Sequence, residues 1–199
     1  DEFGESAGRK KQNCQDVLLA VGMPLICHTN KKSHDFFNSD SYRVSKLDFD
    51  KKPLMDSNHI MKIIPHRPPF LLIDEVLEIS KSHVIGLRRV EESESWVKGH
   101  FPGAPVMPGV LQIEFMAQAG GVLVLNTVPD PENYLTFFMK MDKCKFKKTV
   151  VPGDILICKL ELISPIRRGI IHMKGQTFVG DEIKSEGEFM AKIIKKDTL

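Results

Sequence analysis

Charge of one sign, paired cysteine motifs and a long apolar run are all missing from this sequence, and each absence excludes something. The 199 residues carry a formal net charge of +2, too little by itself to mark a nucleic-acid or membrane-surface protein. No apolar run reaches the ~18 residues with few polar groups that a membrane-spanning helix needs. The nearest, residues 110–125, is interrupted by Gln112, Glu114 and Gln118. The four cysteines, Cys14, Cys27, Cys144 and Cys158, form no C-x-x-C pair and have no histidine at metal-ligand spacing. They are expected to be reduced, packing-type thiols. No internal repeat is visible. What is present is ordinary globular composition, 42% hydrophobic and 27% charged, which fits one domain with a sizeable core.

Residues 1–53 stand apart. "KKSHDFFNSDSYRVSKLDFDKK" has no sustained period of 2 or 3.6 and is rich in Lys, Asn, Ser and Asp. It is expected to be a poorly ordered leader or linker. "DVLLAVGMPLI" is a short apolar patch within it. Starting at Asp1 rather than Met, this leader is expected to be either the remnant of an organelle-targeting segment or vector-derived residues. Its acidic residues are more frequent than in a typical transit peptide.

Residues 54–199 read as the folded domain. "DSNHIMKII" offers Asp56 or Ser57 as a cap for a short helix, which the prolines of "PHRPPF" must end. "LLIDEVLEIS" and "HVIGLRRV" read as two strands, and "VEESESWVKG" as a polar turn. A long helix is expected from Gly109 to Asn126, with Pro108 at its start where a missing N–H costs nothing. Four strand-like runs follow. In "DILICKLELI", Leu156, Cys158, Leu160 and Leu162 alternate with polar Lys159 and Glu161, a period of 2 with one polar face. Gly180–Asp181 suits a two-residue hairpin between the last two runs. Short connections favour antiparallel pairing. A helix apolar on nearly all sides must be covered nearly all round, which a single sheet curled around it achieves. The fold class is α+β.

The chemistry concentrates in "GHFPGAPVMPGVLQIEFMAQAGG", residues 99–121. Glu114 is the one carboxyl of the apolar helix and shares a face with Gln118, four residues on. A carboxyl in apolar surroundings is costly to ionise, and a neutral carboxyl can give up a proton as a general acid must. The alternative is a glutamate paired with a distant arginine or lying on a wet stripe. Imidazole exchanges protons near neutrality, and His100 opens the Pro- and Gly-rich loop fourteen residues earlier. At Gly109 and Val110 the first N–H groups of the helix are unpaired and lie at its positive dipole end. Such donors hold a carbonyl oxygen that gains negative charge. Base, acid and oxyanion donors are the groups needed to remove a proton α to a carbonyl and expel a β-hydroxyl.

Three segments in this order, "HRPPFLLIDEVLEI", "GHFPGAPVMPGVLQIEFMAQAGG" and "VVPGDILICKLELI", resemble the FabZ-type β-hydroxyacyl-acyl carrier protein dehydratases. The resemblance spans roughly residues 56–195 and leaves out the leader. It implies a hot-dog fold, a six-stranded antiparallel sheet wrapped around the long central helix. It implies dimers, commonly a trimer of dimers, with active sites at the dimer interface and the catalytic His and Glu from different subunits. His100 matches the family histidine of "GHFPG", Glu114 the family glutamate, and Gly109 the glycine whose N–H holds the thioester carbonyl. The sister FabA-type enzymes, which also isomerise the double bond, carry Asp at the acid position, so Glu114 favours the dehydratase-only branch. No metal or organic cofactor is implied.

Further residues follow from that reading. Phe101, Val106 and Met107 of the loop, with Tyr134, Phe137 and Phe138 of the next strand, are candidates to line the acyl tunnel, plain core packing being the alternative for the strand aromatics. Val110 and Gln118 complete the substrate-binding set. Acyl carrier protein is acidic, and Lys143, Lys145, Lys147, Lys148, Arg167 and Arg168 can form its basic landing area or a solvated strand face. His66 and Arg67 match the family's "PHR" segment, where a structural role is expected. A thioesterase, an enoyl-CoA hydratase and a non-catalytic acyl-thioester sensor remain as alternatives. A lone dehydratase fits a type II fatty-acid system, and the Lys/Asn-rich leader favours a plastid-like organelle, the apicoplast in particular, over bacterial cytoplasm.

Overall fold

The computed structural model of the chain describes residues 36–37 and 43–198, all within the unit Lys31–Leu199. Most of the expected leader, with "DVLLAVGMPLI", Cys14 and Cys27, lies outside the described residues.

A short helix α1 (Ser57–Ile63) is capped by Asp56, whose carboxylate accepts the His59 N–H at 2.8 Å. This satisfies one of the first-turn donors that have no partner within a helix. Pro65 follows directly after its last turn. Strands β1 (Glu75–Ile79) and β2 (His83–Arg89) form a hairpin. An irregular stretch then leads to helix α2 (Gly109–Leu125). Strands β3 (Tyr134–Phe146), β4 (Ile155–Leu162), β5 (Ile170–Val179) and β6 (Glu182–Lys195) complete the chain. All six strands join one antiparallel sheet in the order β1-β2-β4-β5-β6-β3. The β5–β6 turn falls at Gly180–Asp181, as the sequence suggests.

Helix α2 packs on one face of this sheet, against β2 through β6, and 12 of its 17 residues are buried. Gly120 lets it lie close: a Cβ there would come within 2.6 Å of Met173 Sδ on β5. Phe115 of the helix and Phe189 of β6 are fully buried, each contributing about 1.5–3 kcal/mol by removal from water. A sheet wrapped round a central helix is the hot-dog arrangement.

The alternation in β4 holds, but its polar face is not in water. Leu156, Cys158 and Leu160 face the helix side, fully buried. On the other face Lys159 and Glu161 are only 3% and 4% exposed. The cover there comes from Phe36 and Val44, which join Ile85, Leu87, Ile157 and Phe178 in a cluster flanked by Phe37, Leu47 and Phe49. Phe36, Phe37, Val44, Leu47 and Phe49 fall within the stretch expected as leader. Their apolar side chains sit too far apart in the chain to show a period, yet together they close over the sheet. Lys159 Nζ lies over the Phe178 and Phe36 rings at 4.9 and 5.9 Å, and Glu161 pairs with Lys174 at 2.7 Å. Of the two described cysteines, Cys158 is a packing thiol, with burial pushing its pKa well above the usual thiol range, whereas Cys144 is exposed on β3.

Strands β1 and β3 are the edges. β3 is 13 residues long, pairs only with β6, and exposes Phe137, Phe138, Met139, Met141 and Phe146. A long apolar edge is a template for another strand unless something covers it.

Candidate active site

His100 sits at the end of the turns between β2 and α2. Its N–H donates to the Trp96 carbonyl at 2.8 Å, and its own carbonyl accepts the Val106 N–H at 2.8 Å. The ring is fixed as well: Nδ1 lies 2.7 Å from the Val106 carbonyl. A carbonyl can only accept, so Nδ1 carries the proton and Nε2 keeps its lone pair. That nitrogen is the basic atom of the loop. The Phe101 ring stacks on the imidazole at 4.2 Å.

Glu114 occupies the second turn of α2, with its side chain 22% exposed. Gln118, one turn on, donates from Nε2 to Glu114 Oε1 at 2.9 Å and to the Phe70 carbonyl at 2.8 Å, while its Oε1 accepts the Leu72 N–H at 2.7 Å. This glutamine ties the acid to the segment after the "PHR" motif. His66 Nε2 lies 3.6 Å from the same Glu114 Oε1. Burial holds the His66 imidazole below its usual range, against the opposing pull of Glu114, so the neutral ring predominates. Glu114 Oε2 has no partner among the described residues. The setting of the acid is therefore mixed, apolar along the helix and polar at its tip. It opens on a cleft whose walls include His66, Thr136, Phe138, Ile171 and Met173.

At the start of α2 the Gly109 and Val110 N–H groups donate to nothing among the described residues, and Val110 is exposed. Gly109 lies under the Phe146 ring: a Cβ would meet Phe146 Cε1 at 2.7 Å. Only a residue without a side chain fits there with the ring in place.

The sequence-derived set thus divides. Glu114, Gln118 and Phe138 come together at the cleft. His100, Phe101 and Val106 form the loop. No hydrogen bond or ion pair among the described residues joins His100 to Glu114. Phe137 is exposed, and Tyr134 is half-buried at the start of β3. Met107 is 1% exposed and its N–H bonds the Val150 carbonyl at 2.7 Å; it is core packing and is not among the cleft residues. His66 is the site residue that sequence reasoning undervalued. The rest of the lining, Ile171 and Met173 among it, carries no sequence signal, being ordinary strand residues. Of the basic residues, Lys143 faces Glu188 at 2.8 Å, Lys145 and Lys147 face Glu186 at 3.4 and 2.8 Å, and Lys148 faces Glu182 at 3.6 Å. Arg167 and Arg168 have no ion pair among the described residues.

A family model described as FabA-like domain matches residues 64–188, a span that holds His100, Gly109 and Glu114. The chain belongs to the FabA-like domain family. The chain is 46% identical over 140 residues to 3-hydroxyacyl-acyl-carrier-protein dehydratase FabZ of Syntrophobacter fumaroxidans, covering 70% of this chain and 94% of that one. It is 53% identical over 148 residues to the bifunctional enzyme LpxC/FabZ of Bacteroides thetaiotaomicron, covering 74% of this chain but 32% of that relative. The chain therefore spans about a third of the bifunctional relative's length. Among solved structures it is similar to the dehydratase heterocomplex ApeI:P from Xenorhabdus doucetiae, at a TM-score of 0.59 and 18% identity, covering 69% of this chain and 92% of that one. That likeness shows the FabA-like domain's fold.

Proposed function

We propose that this FabA-like domain dehydrates (3R)-3-hydroxyacyl thioesters on acyl carrier protein to trans-2-enoyl thioesters, as a step of type II fatty acid biosynthesis. The observation that carries the reading is one motif presenting an imidazole with a free Nε2, a carboxyl with a free Oε2, and open N–H groups at a helix start. A FabZ relative matched over 94% of its own length supports it. In the proposed step the thioester carbonyl sits on the Gly109 and Val110 N–H groups. His100 Nε2 takes the α-proton, and the electron pair moves into the new double bond. The β C–O bond breaks, and the oxygen leaves as water with the proton of Glu114. Exchange through water then returns one proton from His100 to Glu114, so no cofactor enters the balance. The test is turnover of a 3-hydroxyacyl thioester read by enoyl absorbance. Release of free thiol without enoyl product would instead mark a thioesterase, and no turnover at all a sensor.

Gly109→Ala is expected to lower kcat about 10²-fold, the usual scale for a lost oxyanion donor, because its methyl and the Phe146 ring compete for one space. Phe146→Ala added to it should restore part of the rate. No recovery would mean that the glycine is needed for something other than that contact.

We assign the site to a homodimer, a trimer of dimers being its larger assembly. Two features support this: the bare apolar edge of β3, and the absence of any link between His100 and Glu114 within the described chain. The acyl chain enters the cleft past Phe138, with Phe101, Val106 and Phe137 at its approach.

For the carrier protein, Arg167 and Arg168 are the better docking groups, since Lys143 and Lys147 already face carboxylates of β6. Arg168→Glu should raise KM for a carrier-protein substrate severalfold and leave a coenzyme A thioester unchanged, with Lys147→Glu having the smaller effect. Equal effects of either variant on both substrates would remove the docking role.

The leader's composition supports a plastid-like organelle, the apicoplast in particular, while bacterial relatives support bacterial cytoplasm. The destination of a reporter carrying residues 1–53 separates the two.

A further inference from the structure

Arg88 of β2 is kept in the interior at a cost. It is 5% exposed, and its Nε has no partner among the described residues. It lies on the helix-facing side of the strand, two residues beyond Gly86, where a Cβ would touch Ala119 of α2. An apolar side chain of similar volume in place of a buried charge pair is often neutral or stabilising. Stability alone is therefore a poor reason for a guanidinium there.

What Arg88 does hold is the chain on either side of the site. Its Nη2 donates to Glu94 Oε2. The same carboxylate oxygen accepts the Trp96 indole N–H at 2.7 Å, and Glu94 Oε1 accepts the Glu91 N–H at 3.1 Å. The Trp96 carbonyl in turn holds the Gly99 and His100 N–H groups at 3.0 and 2.8 Å. On its other side, Arg88 Nη1 reaches the Leu71 carbonyl at 3.4 Å. Leu71 stands between Phe70 and Leu72, the two residues whose backbone grips Gln118, and Gln118 holds Glu114.

We propose that Arg88, with Glu94 and Trp96, is a positioning clasp for the reaction, setting the His100 loop on one side and the Gln118–Glu114 pair on the other. The inference rests on the proposed function in taking His100 and Glu114 as base and acid. Hydrogen bonds between ionised groups are short and strong, and in a buried setting they fix direction as well as distance. A displacement of about 1 Å between reacting groups can cost about 10²-fold in rate without touching binding. In a dimer with shared sites, each Arg88 braces the base of one site and the acid of the other.

Arg88→Met combined with Glu94→Gln removes both charges together and keeps an acceptor for Trp96. On a 3-hydroxyacyl thioester that the wild type turns over, the pair should lower kcat about 10- to 100-fold with KM within about threefold, at a melting temperature near that of the wild type. Arg88→Lys, which keeps the charge but on a single nitrogen, should recover part of the loss. Wild-type kcat in the double variant overturns the clasp, as does a loss that disappears once rates are corrected for folded protein. Should the double variant not fold, Trp96→Phe decides: it keeps an aromatic ring, smaller than indole, but deletes the donor to Glu94, and should cost kcat severalfold, whereas an unchanged kcat overturns the proposal. A wild type without turnover refutes the proposed function instead.

Discussion

His100→Ala is expected to lower kcat/KM for a 3-hydroxyacyl thioester by ~10²–10⁴-fold, and Glu114→Gln by a similar factor, the range that a positioned acid or base contributes. The two losses have different causes. Without the imidazole nothing replaces Nε2, because the Val106 carbonyl that orients the ring is only an acceptor. In Glu114→Gln the side chain keeps its shape and can still meet Gln118, but an amide has no acidic proton to give the departing hydroxyl. KM should therefore move little in the glutamine variant while kcat falls. Rates near the wild type in either variant would sink the assignment.

The second large effect is recovery. Mixed and reassembled, the inactive His100→Ala and Glu114→Gln chains should regain about a quarter of wild-type activity. In a two-fold dimer random pairing makes half the dimers mixed, and each mixed dimer has one site with both residues intact. A site complete within one chain predicts no recovery, because neither chain holds both groups. The same arrangement requires a monomer to be inactive. A charge placed on the open edge of β3, as in Met139→Lys, should yield monomers on a sizing column with turnover lost. An active monomer would contradict the shared site.

Much of this was legible because it is local. Asp56 and Ser57 ahead of an apolar run mark where α1 starts to within a residue, and proline chemistry marks where it stops. The period of 2 in β4 assigns its residues to the correct faces. The fifteen residues from His100 to Glu114 carry base, acid and helix-start donors on one contiguous stretch, so the chemistry is legible without the fold. The motif resemblance added the hot-dog fold, and the sheet order agrees with it.

Other features required the chain to fold back on itself. β3 follows α2 in sequence yet pairs with β6 at the far edge. That placement sets Lys143, Lys145 and Lys147 opposite Glu186 and Glu188, and much of an apparent basic patch is internally neutralised. His66 is 48 residues from Glu114 and shows only as part of a proline-rich segment, yet it ends 3.6 Å from the carboxyl. The period of 2 marks a polar face on β4 but not what lies on it, and in the fold Phe36 and Val44 close over that face. Period, caps and a short motif depend on neighbours three or four residues away, and the sequence by itself determined them. Strand order, the partners of buried charges and the walls of the cleft depend on contacts between distant segments. Each of those contacts has many competing alternatives of similar local quality, and only the packing of the whole sheet around α2 selects among them.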